Sequence, residues 1–201
     1  FRRVLFRSRW NHTKGRIWRV TRNDGPVEKK WPRIEGASVA ELCGLLTHPQ
    51  DIVRQHARIA LRKLGQPGLD AVDAWLAKLP ANEPERDQAM LEAVFIAEGL
   101  GQTRPALLAA LGKSAKPEYR AAAVHVARLQ ADRLPDIAAT LITMAADKHP
   151  RVRMEVIDAV AHLRPRFPAV EHVLHAGIAA TEPAVKRMLD DLVFGTKPLI
   201  S

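Results

Sequence analysis

Among the residues whose types and spacing could do chemistry, Glu171, His172 and His175 come closest to a metal site. His172 and His175, at i and i+3 of a helix, share a face and could present two imidazoles to a metal. No third ligand is at hand, so the spacing points to surface residues and no metal is expected. His48 and His149 each precede a proline and read as turn residues. Cys43 is the sole cysteine, so neither a Cys-x-x-Cys-His haem attachment nor a thiolate zinc site can be built, and its apolar neighbours mark it as a small buried hydrophobe. Glu83 with Glu85, and Asp190 with Asp191, flank helix ends, where charge is ordinary. There is no Gly-rich phosphate loop, nucleophile elbow or Ser/His/Asp constellation, so no catalytic residue and no cofactor is expected.

One set of charges recurs with a period. Arg54, Arg120, Arg153 and Lys186 occupy positions separated by multiples of 33 residues, with Asp87 interrupting the series. Such a column reads as a ladder in which each cation pairs with a carboxylate or a helix-end carbonyl of a neighbouring unit. A binding role for the same four residues is the sharper alternative.

The elements that must position this column repeat at the same spacing. Pro84, Pro117, Pro150 and Pro183 are 33 residues apart. Around them run apolar columns: Ala57, Met90, Ala123, Val156 and Leu189; Ala60, Ala93, Val126, Ala159 and Leu192; Leu61, Val94, Ala127, Val160 and Val193. Within one copy Val152, Val156, Ala159, Val160 and Leu163 form a single amphipathic stripe. The first half of each unit has its own column, Leu42, Trp75, Leu108, Leu141 and Leu174, in which Trp75 stands for Leu. Each unit is therefore two helices, and five copies are visible. The recurring Pro suits the first turn of each second helix. Gly65, Gly101 and Gly112 follow apolar runs, where left-handed helix-ending residues are expected. A pair of short helices cannot bury its stripes alone, so copies stack.

The formal charge of +9 is unevenly placed. Residues 1–33 hold 11 Lys and Arg against two acids, leaving 20 of each sign in residues 34–201. The helical region is neutral overall, whereas a nucleic-acid reader should carry a basic face. No apolar run is long enough to span a membrane.

The segments His48-Pro49-Gln50-Asp51-Ile52-Val53-Arg54 and His149-Pro150-Arg151-Val152-Arg153 resemble the short bacterial HEAT repeat, over roughly residues 36–195. The second and third copies depart from it, with Arg86-Asp87 and Tyr119-Arg120 where Val-Arg is expected. The resemblance implies an all-α fold, an α-solenoid of about five HEAT-like hairpins over residues 34–201, preceded by a short strand or extended arm. Phe1–Ser8 are similar to the conceptual translation of a sequencing-adapter oligonucleotide and are read as an artefact. Gly15-Arg16-Ile17-Trp18-Arg19-Val20-Thr21 alternates as a strand does, with Asn23-Asp24-Gly25-Pro26 as its turn. Residues 9–33 thus read as the last strand of a preceding β domain plus a basic linker, with a disordered basic arm as the alternative.

A strand of this form running through a basic linker into HEAT repeats resembles the planctomycete-type membrane-associated dehydrogenase-like proteins, in which a β-propeller precedes the repeats and a cytochrome c module often follows. The resemblance implies that the strand is a remnant of a lost β-propeller, and that the chain is a fragment whose catalytic residues lie elsewhere, in a parent that is periplasmic or membrane-associated. The repeats would serve as a non-catalytic scaffold whose partner is the propeller or another protein subunit. The alternative is a nucleic-acid-binding module of the HEAT-like DNA glycosylase type.

Overall fold

The computed structural model describes residues 30–82, 84–179 and 181–194. The expected strand at residues 15–21 and the segment 1–8 lie outside the described residues. The described residues from Arg33 onward form one compact unit. It is all-helical among the described residues, with ten α-helices packed together: α1 Val39–Gly44, α2 Asp51–Lys63, α3 Gln66–Lys78, α4 Arg86–Gly99, α5 Pro105–Leu111, α6 Pro117–Leu129, α7 Ile137–Ala145, α8 Pro150–Leu163, α9 Glu171–Ala176 and α10 Pro183–Phe194.

Local chemistry starts and stops these helices. Ser38 and Glu41 form a reciprocal capping box at α1, with Glu41 Oε2 accepting from the Ser38 amide at 2.7 Å and Ser38 Oγ accepting from the Glu41 amide at 3.3 Å. The Ser38 hydroxyl also donates to Glu41 Oε2 at 2.7 Å, and this bond, with that from the Ser38 amide, holds the Glu41 carboxyl below its ordinary range. Pro117, Pro150 and Pro183 each open a helix, as their fixed φ and missing N–H favour. Pro84 does not: a turn occupies residues 84 and 85, and α4 starts two residues after it. Gly65 and Gly101 adopt positive φ, but Gly112 is right-handed at φ −61°. What Gly112 supplies is space, because a Cβ there would lie 2.5 Å from Met144 Cε.

The apolar columns form the core. Val53, Ala57 and Leu61 of α2 are buried, as are Val152, Val156, Ala159, Val160 and Leu163 of α8. Leu42, Leu108 and Leu141 are buried, while Leu174 packs partly buried against the same core. Trp75 takes the packing position expected of it, half-buried against α3's neighbours. Each fully buried aliphatic side chain contributes roughly 1.5–3 kcal/mol relative to exposure. Val193 departs from its column at 52% exposure, since α10 has α8 on one side and no described helix on the other.

Contacts run between near neighbours in the chain. Within hairpins α1 packs on α2, α3 on α4, α5 on α6 and α7 on α8. The second helices pack in succession, α2 on α4, α4 on α6, α6 on α8 and α8 on α10. The first helices are less continuous: α1 meets α3 and α7 meets α9, but the seven-residue α5 lies chiefly against α4 and α6.

Candidate interaction surface

The arginine column sits at the start of the second helices, and three of its members repeat one geometry. Arg54 Nη1 donates to the carbonyl of His48 at 2.7 Å, Arg120 Nη1 to that of Ser114 at 2.8 Å and Arg153 Nη1 to that of Asp147 at 2.6 Å. Each acceptor lies six residues back, in the turn entering the helix. One end of the guanidinium thus ties the turn to its helix, and the other is free to reach a neighbouring unit.

Arg120 and Arg153 make that reach. Arg120 Nε and Nη2 donate to the two carboxylate oxygens of Asp147, at 2.6 and 2.9 Å, a bidentate pair joining the third hairpin to the fourth. Arg153 donates to Glu182, joining the fourth to the fifth. Both guanidiniums are buried, at 6% and 3% exposure. Asp147 also accepts from the His149 amide at 2.8 Å. The Arg120 bonds, with that amide, hold the Asp147 carboxyl below its ordinary range against the opposing effect of burial, and Asp147 in turn holds the Arg120 guanidinium above its own. The bond from Arg153 likewise lowers Glu182.

The interruption at Asp87 has a structural counterpart. Ser114 stands 33 residues before Asp147, and its Oγ donates to Asp87 while accepting from the Lys116 amide at 3.1 Å. The acid and its partner have exchanged places across the joint, and a neutral hydroxyl replaces the ion pair. Arg86, one residue earlier, assumes the carbonyl-binding task, with Nη1 donating to the Leu79 carbonyl at 2.5 Å. Lys186 is exposed on α10.

Arg54 donates through Nη2 to Asp51 of its own helix at 2.8 Å and meets the next unit on a helix rather than in a turn, at Glu92, whose carboxylate lies 3.3 Å from Arg54 Nε and 3.0 Å from Arg58 Nη1. Glu92 is 1% exposed, and burial pushes its carboxyl above the ordinary range, opposed by Arg58 and then Arg54. Gln88 Nε2 donates to it at 2.7 Å, and the Arg58 guanidinium lies 5.1 Å from the Phe95 ring centroid. Further along, His125 meets Glu155 at 2.8 Å, and Asp158 faces Arg128 and His162 at 3.5 and 3.2 Å. Cations and carboxylates alternate along the second helices, so their charges are largely spent on one another.

No protein-family model, curated protein or solved structure matches the chain. The residues themselves must carry the reading. His48 and His149 both sit in turns, where each Nδ1 accepts an amide two residues on, Gln50 at 3.1 Å and Arg151 at 3.2 Å; the bond to His149 also caps α8, whereas that to His48 stays within the turn before α2. Cys43 is buried among apolar side chains, and that burial pushes its thiol upward, so the thiolate is disfavoured. Among the described residues no group of three His, Cys, Asp or Glu is arranged to hold a metal; the His175 side chain lies outside them. No helix among them is long and apolar enough to cross a membrane.

Proposed function

We propose that residues 34–201 are an α-solenoid of five HEAT-like hairpins that acts as a non-catalytic scaffold within a larger dehydrogenase-like protein. The observation that carries this reading is the recurring clamp: Arg120 to Asp147 and Arg153 to Glu182 tie successive hairpins at separations of 27 and 29 residues. Arg120, Asp147 and Arg153, with side chains at most 10% exposed, are committed to holding units in line, which suits a surface built by many units together. The partner is a protein, either a preceding propeller domain or another subunit.

The neutral pairing of charge along α2, α4, α6 and α8 favours this over nucleic-acid binding of the DNA glycosylase type, which needs an uncompensated basic face. The test is deletion of residues 34–201 from the parent gene, followed by cross-linking and sedimentation of the product. Loss of assembly is expected, and unchanged assembly and activity would remove the scaffold role. Duplex DNA binding by the purified chain that weakens steeply with salt would favour the glycosylase-like reading instead.

A further inference from the structure

The first helix of the third hairpin is half the length of its counterpart in the second: α5 has seven residues and α3 has thirteen. Beside this short helix a cavity of about 170 Å³ lies between α5, α6 and α7, open to solvent along a rim that includes the exposed Pro105, Ala109, Pro135 and Asp136. Leu108 and Ala109 form one wall, Val124 and Ala127 of α6 the floor, and Leu134 and Met144 the far side. The buried side chains of the whole helical unit fall into two clusters, one running from Leu42 to Val126 and the other from Ala121 to Leu192. The cavity lies where they meet. Leu108 and Ala123 belong to the first cluster, and Val124 and Ala127 to the second.

Its chemistry is one-sided. The polar side chains on its lining are Asp136 and Thr140. Asp136 Oδ1 accepts from the Ala139 amide at 2.9 Å, and Thr140 Oγ1 donates to the Asp136 carbonyl at 3.0 Å. Both are engaged in starting α7. Water needs two to four polar partners to be held in such a space, and an anion would meet the Asp136 carboxylate with no donor to compensate its lost hydration. A dry apolar cavity of ~150 Å³ in another protein is large enough to bind benzene.

We propose that this cavity is a binding site for a small, uncharged, apolar molecule of about one aromatic ring. Met144, unbranched and adaptable, forms the side that yields to different shapes. The occupant bridges the two halves of the core within the joint of the third and fourth hairpins, which the Arg120–Asp147 pair also ties. Binding therefore stabilises the folded chain and couples its two halves.

The test uses the full chain, with benzene as probe and benzoate as the charged control. Above the dissociation constant, each tenfold increase in benzene should multiply the folding equilibrium constant about tenfold, and benzoate, whose carboxylate would face that of Asp136, should have no effect. Ala109→Leu, which fills the space, should abolish the benzene response. Methyl NMR of the unsubstituted chain reads the same site without depending on that variant: resonances of Leu108, Val124, Leu134 and Met144 should shift on titration. Absence of a benzene effect on stability, an undiminished effect in a folded Ala109→Leu variant, or shifts spread evenly over both core clusters would each overturn the proposal.

Discussion

Replacing Asp147 by Ala tests the clamp between the third and fourth hairpins. Asp147 accepts both Nε and Nη2 of Arg120, and the two side chains are 10% and 7% exposed. Removing one member of a buried pair costs about 3–5 kcal/mol, because the other charge is left without compensation. Arg120 keeps its bonds to the Ser114 and Ala115 carbonyls, at 2.8 and 3.1 Å, which places the expected loss at the lower end, about 3 kcal/mol. For a chain of this length that corresponds to a fall in Tm of roughly 6–12 °C. Asp132→Ala is the matched control. It removes another Arg–Asp contact, in which Arg166 Nη2 alone meets both Asp132 oxygens, but those side chains are 58% and 63% exposed, and an exposed pair is worth about 0–1 kcal/mol. Both variants would be unfolded in urea beside the parent chain, and a double-mutant cycle with Arg120→Met would isolate the pair itself. Equal losses for Asp147→Ala and Asp132→Ala would refute the inference that burial at the joint makes the clamp count.

Other expectations follow from the same structure. Leu141, fully buried in the first-helix column, should cost roughly 2–5 kcal/mol on truncation to Ala in urea unfolding; a loss near zero would mean that the register is wrong. Gly68→Ala should destabilise in the same assay, because the added Cβ would lie 2.2 Å from the Leu61 carbonyl oxygen; Gly44→Ala, with nothing within 4 Å, should be neutral or gain up to about 1 kcal/mol. The Asp147 carboxyl has its pKa lowered by folding, so its contribution is complete above the unfolded value near 4 and is lost as pH falls through the lower folded value. The stability gap between the parent chain and Asp147→Asn should therefore hold from pH 7 to about 4 and shrink below it; a gap that widens on acidification would reverse the assigned sign.

The period of 33 made the helices and much of the core legible, because burial columns recur wherever each unit packs on the next. Arg120 and Arg153 were visible as a column for the same reason. Their partners were not, since Asp147 and Glu182 lie in connecting turns at offsets of 27 and 29 residues, where chain length rather than helical phase sets position. Glu92 was also hidden: its column otherwise holds Ile59, His125, Asp158 and Asp191, a mixed set that gives no sign of burial, and it is the convergence of Arg54 and Arg58 that accommodates a buried acid there. Pro105 and Gly112 bound α5 in the sequence, yet the cavity beside it depends on how α6 and α7 close around a short helix.

The claim on which these expectations rest is that each hairpin is held by its neighbours alone. Deleting residues 165–201, which removes α9 and α10, tests it most directly by circular dichroism during urea unfolding. The shortened chain should keep its helicity and a cooperative transition at lower urea, with the Asp147→Ala penalty intact because the Arg120 clamp remains whole. Loss of the cooperative transition would show a single interdependent core and contradict the account.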